Sequence, residues 1–402
     1  MTSAPKILVS GAGIAGTALA HWLHRHGADV TVVEKADSVR PGGYPIDIRG
    51  TAVEVVDRMG LLPRLRPVHV DTRRISFLDP DGRPIAALSP EAVAGGDARR
   101  DLEVARGDLT GALYETVCDS VEFRFGDSVA ALDEHARGID VTFRGGDRRT
   151  FDLVVGADGI HSHTRGLAIG PEAPHHRDLG YRFAGFALPN HRGLDREAVI
   201  WNAPGRAAVL YAAGPAPERV HGLLVLTGDD PAPRDEESQR ALVAARFAGD
   251  GWEVPRLLDA LRGAEDLFFD TVGQIRLPRW SRGRVALVGD AAYAPSFFSG
   301  QGTSLALVGA YVLAGELAAG RDHAAAFAGY EARLREFVEL NQALADGGAA
   351  GLVPRTAEEL AGRNAALRDP GAVAAAGSEG GSVAGPEAGP SPYSALTLPD
   401  YR

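Results

Sequence analysis

"ILVSGAGIAGTALAHWLHRHGADVTVVEK", residues 7–35, decides the fold of this chain. Its apolar start at 7–9 predicts a short β-strand that leads into three glycines spaced as G-x-G-x-x-G. In that spacing Gly11 permits a tight turn, Gly13 lets the backbone approach a pyrophosphate, and Gly16 permits close packing of a helix on the strand. The motif alone is weak evidence for a dinucleotide site, so the flanking sequence has to support it.

The residues after the glycines complete a strand-helix-strand unit. A helix is predicted from about residue 14 to 26, and its N-terminus would present free N–H groups to phosphates. A second strand over 29–33 ends at Glu34, 18 positions after Gly16. An acid at this point binds an adenosine ribose whose 2′-hydroxyl is free, which favours FAD or NAD over NADP. The sequence up to here leaves FAD and NAD open.

Composition restricts the class of protein. The chain has 402 residues, 45% of them hydrophobic, which suits two or three domains. A net charge of −11 argues against nucleic acid as a partner. No run reaches the roughly 18 apolar residues of a membrane span, and no signal core precedes the first strand, so a cytoplasmic location is expected. Histidines at 161, 163, 175 and 176 lack the cysteine spacing of a metal site, so no metal is expected.

Two later segments have a common design: "FDLVVGADGIHSHTR" (151–165) and "RVALVGDAAYAPSFFSGQGTSLALVGAYVLAGEL" (284–317). Each begins with a continuous apolar run, typical of a strand covered on both faces, and ends in a small residue beside Asp158 or Asp290. Open α/β sheets bind ligands at the carboxyl ends of such strands. A helix predicted over 303–317 starts at the same place, where its positive end would stabilise an anionic reduced flavin.

The three motifs together resemble the class A flavoprotein monooxygenases, the p-hydroxybenzoate hydroxylase group, and most closely the branch that hydroxylates aromatic polyketides and tetracyclines. The resemblance implies an α/β fold: a Rossmann-like FAD-binding domain, an inserted mixed β-sheet substrate domain, and C-terminal helices. The expected boundaries are 1–70, 101–176 and 270–345 for the discontinuous FAD-binding domain, 71–100 and 177–269 for the substrate domain, and 346–402 for the C-terminal helices and a flexible tail. The end of that tail, "YSALTLPDY", is predicted to dock back on the cofactor domain.

The resemblance also implies roles for individual residues. Glycines 11, 13 and 16 with Glu34 would hold the ADP half of FAD, Arg106 would lie along the flavin side, Asp158 would serve the pyrophosphate and NAD(P)H use, and Asp290 would bind the ribityl chain. The complete set of expected cofactor-binding residues is Gly11, Gly13, Ile14, Ala15, Gly16, Glu34, Lys35, Arg106, Asp158, Gly159, Gly289, Asp290, Pro295, Gly300, Gln301, Gly302 and Thr303.

The late motif departs from the commonest family pattern at three places. Tyr293 stands where histidine is frequent, Thr303-Ser304 replaces an asparagine-containing pair, and Gly309 replaces a frequent aspartate. These departures leave FAD binding as the expectation but weaken detailed claims about polar contacts at the flavin edge.

The expected substrate pocket lies on the inserted sheet. Aromatic and aliphatic strand patterns fill 177–269, and a hairpin around 79–82 is predicted to join them. This sheet would form the floor of a largely apolar pocket, although aromatic residues in strands are more often core residues. The pocket candidates are Tyr181, Phe183, Trp201, Tyr211 and Phe297.

The resemblance implies an FAD-dependent monooxygenase, an oxidoreductase that uses NADPH or NADH and O₂. Through a flavin C4a-hydroperoxide it would hydroxylate a phenolic, polycyclic polyketide-like small molecule, in secondary metabolism or antibiotic modification. Only one glycine-rich dinucleotide motif is present, so the reductant would bind transiently. Baeyer–Villiger oxygenation of a ketone and a noncatalytic flavin-fold binding protein remain alternatives. No catalytic side chain is identified, no membrane partner is expected, and monomer and homodimer stay open.

Overall fold

The computed structural model describes residues 4–39, 42–229, 231–320, 322–369 and 391–401. The strands are β1 (Lys6–Ser10), β2 (Asp29–Glu34), β3 (Pro45–Ile48), β4 (Arg74–Leu78), β5 (Pro84–Leu88), β6 (Leu102–Ala105), β7 (Glu122–Phe125), β8 (Val129–His135), β9 (Gly138–Phe143), β10 (Arg148–Phe151), β11 (Leu153–Gly156), β12 (His176–Pro189), β13 (Glu197–Ala203), β14 (Arg206–Tyr211), β15 (Arg219–Thr227), β16 (Phe268–Ile275), β17 (Ser281–Arg282) and β18 (Val285–Leu287). The helices are α1 (Ile14–Arg25), α2 (Thr51–Arg58), α3 (Leu62–Leu65), α4 (Pro90–Ala94), α5 (Arg106–Glu115), α6 (His163–Ala168), α7 (Glu236–Arg246), α8 (Val254–Gly263), α9 (Asp290–Tyr293), α10 (Gly302–Ala318), α11 (His323–Leu352) and α12 (Ala357–Arg368).

A six-stranded sheet in the order β17-β18-β11-β1-β2-β7 carries the three sequence motifs. Strand β1 pairs in parallel with β2 and β11, β11 pairs in parallel with β18, and the short β17 runs antiparallel to β18. The predicted strands of the three motifs are therefore confirmed. Because β1, β11 and β18 are neighbours with the same direction, the loops that follow them meet at one edge of the sheet.

A second, seven-stranded sheet in the order β16-β12-β15-β14-β13-β4-β5 is mixed, since β13 and β4 are parallel and the other pairs antiparallel. The predicted hairpin is confirmed: the Asp79 N–H donates to the Arg83 carbonyl at 2.9 Å and joins β4 to β5. One face of the sheet packs on α7 and α8, and the other faces α11 and α12. The division of the chain into domains stays a prediction.

Helix α10 is the central helix of the cofactor side. Nearly all of its 17 residues are buried, and it packs against α1, α2 and α11. A helix that is apolar all round is stable only inside the protein, which explains why the predicted helix after the late motif needs no polar face. None of the described helices is long and apolar enough to cross a bilayer.

The C-terminal segment (391–401) docks on α2 and α10, which confirms the predicted docking of the chain end. The Thr51 hydroxyl donates to the Leu396 carbonyl and the Tyr311 hydroxyl to the Pro399 carbonyl, both at 2.7 Å. The Tyr401 ring lies against Gly315 so closely that a Cβ on this glycine would overlap it. The predicted flexible stretch before this segment lies outside the described residues.

The contact between Gly315 and Tyr401 predicts that the effect of Gly315→Ala on the free energy of unfolding changes sign when the C-terminal segment is removed. Gly315→Ala should destabilise the full chain by about 1–3 kcal/mol, because the added methyl overlaps the tyrosine ring. In a chain truncated after residue 390 the same change should stabilise the helix by up to about 1 kcal/mol, since alanine is the better helix former. Urea unfolding of the four proteins measures both effects. Equal effects of the substitution in the two backgrounds would disprove the contact.

Candidate functional site

The glycine-rich turn leaves space for a ligand at one position only. Gly11 has φ +109°, and a Cβ there would lie 2.6 Å from the Ala157 carbonyl oxygen. A Cβ on Gly16 would overlap the Gly11 carbonyl, so this glycine permits the close packing of α1 on the turn. A Cβ on Gly13 would meet no atom of the described residues within 4 Å. The first and third glycines therefore serve the fold, whereas the second borders open space.

The positive end of α1 faces the same space. Gly13 caps the helix without a side-chain hydrogen bond, and the first turn, which starts with Ile14 and Ala15, contains no acidic residue. Free N–H groups and the helix dipole at such an end attract an anion. A pyrophosphate fits this cradle in both space and charge.

Glu34 is held at the rim of the turn by the backbone. Its Oε2 accepts the Ala12 N–H and its Oε1 accepts the Ala36 N–H, both at 2.9 Å. Each carboxylate oxygen can accept a second hydrogen bond, so the group can still bind ribose hydroxyls. Lys35 is exposed beside it.

Asp158 accepts hydrogen bonds from residues of its own loop. Its Oδ2 accepts both the backbone N–H and the hydroxyl of Thr164 at 2.9 Å, and its Oδ1 accepts the Ser162 hydroxyl. These bonds fix the turn before α6. Gly159 follows with φ +84°, and a Cβ on it would face open space. The structure thus gives Asp158 a positioning role, and its expected service to the pyrophosphate stays a prediction.

His161, in the same loop, is a functional-site candidate that the sequence reasoning missed. Its Nδ1 lies 3.0 Å from a Glu172 oxygen and its Nε2 lies 3.1 Å from an Asp270 oxygen. The hydrogen bond to Asp270, partly opposed by burial, raises the pKa of His161 to about 9, so the ring is a cation at neutral pH. This cation ties the loop to β16 of the second sheet. Its place in the "GADGIHSHTR" motif was the available signal.

Asp290 lies where the late motif contacts the first motif. Gly289, with φ +63°, turns the chain so tightly that a Cβ on it would lie 2.7 Å from the Ala15 Cβ. Burial raises the pKa of Asp290, and the charge of Arg106 opposes that shift. Among the described residues, no side chain or backbone group forms a hydrogen bond to this carboxylate. A half-buried acid without a partner, next to the start of α1, is suited to bind ligand hydroxyls.

The loop that precedes α10 contains a second unsatisfied group. Gln301 is 1% exposed, and neither its amide nitrogen nor its amide oxygen has a hydrogen-bond partner among the described residues. Buried amides are almost always hydrogen-bonded, so this site fits a polar ligand edge such as that of a flavin ring. Ser296 has φ +90°, a strained conformation for a non-glycine residue. Gly302, whose Cβ would lie 3.7 Å from an Asp290 oxygen, begins the helix, and Thr303 is buried in its first turn.

Two of the departures from the family pattern compensate each other. The Tyr293 hydroxyl lies 3.0 Å from the Tyr330 hydroxyl in the core, and a Cβ on Gly309 would overlap it. The larger residue at 293 therefore requires glycine at 309. At the third departure, the Ser304 hydroxyl accepts the Arg49 N–H at 3.1 Å. The residues at all three places thus have partners or space within the described structure.

A cavity of about 230 Å³ adjoins this loop. Its walls come from the loop itself, the second sheet, a glycine-rich part of α11, α12 and the C-terminal segment. The lining residues are Asp47, Arg49, Phe77, Val93, Ala94, Ile200, Phe297, Phe298, Ser299, Gly300, Leu344, Gly347, Gly348, Gly351, Leu352, Arg363, Leu367 and Tyr393. Most of this surface is apolar, as in small-molecule sites. In the part of the chain that the structure covers, no group of three His, Cys, Asp or Glu side chains could hold a metal ion.

Three of the five predicted pocket aromatics lie at or directly behind the cavity wall. Phe297 lines the cavity. The ring of Phe183 stacks on Phe297 with centroids 4.8 Å apart, and Tyr181 meets Phe298 edge-on at 4.9 Å. These second-sheet aromatics support the loop that carries Phe297 and Gly300.

The structure does not bring the other two predicted aromatics into the cavity. Trp201 is 1% exposed and packs on the side of α7 and α8, while its neighbour Ile200 lines the cavity, because side chains alternate along a strand. The Tyr211 hydroxyl is bonded to Glu103 and, at 2.7 Å, to the Thr72 hydroxyl. The sequence reasoning missed the charged and C-terminal cavity residues, since they come from distant parts of the chain.

Comparison with known proteins identifies the cofactor. Residues 5–341 match the family described as FAD binding domain. Over 345 residues the chain is 39% identical to a flavin-dependent monooxygenase from an unknown prokaryotic organism, which covers 85% of this chain and 89% of that protein. The crystal structure of tetracycline destructase Tet(55) is 34% identical with a TM-score of 0.81, covering 96% of this chain and 100% of that one. The crystal structure of Klebsiella pneumoniae HpxO complexed with FAD and uric acid is 26% identical with a TM-score of 0.72, covering 90% and 92%.

These matches decide between the two dinucleotides that the first motif left open, in favour of FAD, and they confirm the α/β fold class. The matches agree with the structure, in which the loops of the three motifs meet around the open space beside Gly13 and next to an apolar cavity. The chain belongs to the class A flavoprotein monooxygenases, in their tetracycline hydroxylase-like branch.

Proposed function

We propose that this protein uses NADPH or NADH and O₂ to hydroxylate a phenolic, polycyclic small molecule in the 230 Å³ cavity. The observation that carries the proposal is that one loop serves two sites. Its residues Phe297 to Gly300 line the cavity, and its next residue, Gln301, offers the unsatisfied amide of the cofactor site. A substrate in the cavity would therefore lie next to a flavin ring.

The cofactor would be held along the edge of the first sheet. The turn at Gly13 and the carboxylate of Glu34 would bind its ADP half, and Asp290 with the start of α10 its flavin half. Bound FAD, once reduced by NAD(P)H, supplies the activation of O₂ and the transfer of one oxygen atom. The positive end of α10 would stabilise negative charge at this point.

The chain's own contribution to the chemistry is position and exclusion of water. The apolar wall formed by residues such as Phe77, Ile200 and Phe297 would remove a ring substrate from solvent. The Arg49 and Asp47 side chains, paired at 3.1 Å, provide polar contacts in that wall. The similarity to a tetracycline destructase supports a polycyclic substrate, and with it a role in secondary metabolism or antibiotic modification.

An absorption spectrum of the purified protein, followed by anaerobic NADPH or NADH with a panel of phenolic polyketides, tests this function. We expect a yellow protein whose flavin bleaches faster with one compound, and a product heavier by one oxygen atom in air. Fragmentation of that product distinguishes ring hydroxylation from insertion beside a ketone. A protein that retains FAD but never oxidises NADPH or NADH would instead be a noncatalytic binder.

Gly13→Val should empty the cofactor site without damaging the fold. The Cβ would enter space free of protein atoms, and the φ of −76° suits any residue, so the melting temperature of the apoprotein should be unchanged. The side chain would instead block the pyrophosphate, so bound FAD should fall below about a tenth of the wild-type amount. The matched control is Gly16→Val, which should unfold the protein because its Cβ overlaps the Gly11 carbonyl. A fully yellow Gly13→Val protein would refute the role of this glycine.

Asp290→Ala should weaken FAD binding about tenfold or more, because a hydrogen bond between an ionised group and the ligand is lost. The exposed Asp57 on α2 provides a control of equal charge change, and Asp57→Ala should bind FAD normally. Titration of the apoproteins with FAD, followed by flavin fluorescence, gives both affinities. Unchanged affinity in Asp290→Ala would remove this carboxylate from the cofactor site.

A further inference from the structure

Arg363 is a charged group in the cavity wall that the proposed function does not use. It lies on α12, and its guanidinium is 5.1 Å from the centre of the Phe77 ring. Most of the other residues that line the cavity are apolar or glycine. A cation in such a wall needs an explanation, because removing a charge from water costs free energy unless a partner compensates it.

The described residues accept hydrogen bonds from only some of the N–H groups of this guanidinium. Its Nε–H donates to Asn364 Oδ1 at 2.9 Å, Nη1 to the Gly351 carbonyl at 2.8 Å, and Nη2 to Asn202 Oδ1 at 2.7 Å. All three acceptors are neutral. A guanidinium has five N–H groups, so one on Nη1 and one on Nη2 have no acceptor among the described residues.

No carboxylate within the described ranges forms an ion pair with Arg363. The other arginine of the cavity differs, since Arg49 is paired with Asp47 at 3.1 Å. Of the three charged residues in the described lining of the cavity, two therefore neutralise each other and the third leaves it positive. This positive cavity belongs to a chain with a net charge of −11.

Burial lowers the pKa of Arg363 to about 10, and no neighbouring acid opposes the shift. The group is still protonated at neutral pH. An anion that enters the cavity would gain a charge-assisted hydrogen bond and would relieve the cost of the buried cation at the same time.

We propose that Arg363 binds a carboxylate of the substrate, so that the cavity selects an aromatic acid over the corresponding neutral phenol. The inference rests on the proposed function, in which this cavity is the substrate site. The two N–H groups that lack an acceptor among the described residues belong to different terminal nitrogens, and a carboxylate offers one oxygen for each of them. Arg363 is thus a specificity-determining residue, supplied by the C-terminal helix instead of the sheet.

The test uses two probes with the same ring system, 3-hydroxy-2-naphthoate and its methyl ester, which differ in charge and by one methyl group and are titrated by calorimetry into the FAD-loaded protein. The wild type should bind the acid at least about tenfold more tightly than the ester. Arg363→Gln should weaken acid binding by about ten- to a hundred-fold and change ester binding by less than about twofold. Arg363→Lys should restore part of the preference for the acid over the ester, because lysine keeps the positive charge but lacks the two terminal nitrogens of the guanidinium.

The matched control is Arg368→Gln, which removes the same charge from an exposed position on the same helix and should leave both affinities unchanged. A purely structural role of Arg363, through its bonds to Asn202 and Gly351, would weaken acid and ester equally. That result would overturn the proposal, as would equal affinity of the wild type for the two probes or failure of both to bind.

FAD content and the rate of NADPH oxidation, measured on the same preparations, keep this inference separate from the proposed function. A yellow, NADPH-oxidising protein that does not discriminate between the probes would contradict the role of Arg363 alone. A protein that never retains FAD would contradict the proposed function, whatever the probe titrations show.

Discussion

The close approach of α1 to the turn after β1 is the constraint on which the site depends. Gly16 touches the Gly11 carbonyl, and Gly289 brings the turn after β18 against Ala15. A side chain at either glycine would push these segments apart. Because the contacts are made by backbone and methyl groups, the edge of the sheet is closely packed, while the space beside Gly13 is free of described atoms. A tight fold around an open cradle is what a dinucleotide phosphate requires.

The loop between α9 and α10 connects this edge to the second sheet through side-chain contacts. Phe183 and Tyr181 support its aromatic residues from below, and the Gln274 amide donates to the Pro295 carbonyl at 3.1 Å. The loop is thereby held by β12 and β16 of the second sheet, which explains how it can keep a strained Ser296 and an unsatisfied Gln301. In this loop a strained residue and an unsatisfied amide lie where a bound ligand would compensate them.

The cavity is assembled from residues that lie far apart in the chain. Arg49 follows β3, Arg363 lies on α12, and Tyr393 belongs to the C-terminal segment, where its hydroxyl donates to the Ala94 carbonyl at 2.6 Å. The edge at which the three motifs meet is built from short local motifs, whereas the cavity wall is built by long-range packing. Substitutions in the C-terminal elements can therefore change the cavity while the edge of the first sheet stays the same.

The sequence by itself determined the strand-helix-strand unit, the two later strand ends, α10 and the family. Each of these follows from local spacing, glycine geometry or unbroken apolar runs, which operate within a few residues of each other. Only the tertiary structure decided that Ile200 and not Trp201 faces the cavity, because alternation along β13 tells which residues share a face but not which face is covered by α7 and α8. It alone decided that Asp158 serves its own loop, that Gly309 makes room for Tyr293, and that Arg363 has no acidic partner among the described residues, since each depends on which distant residue packs nearby.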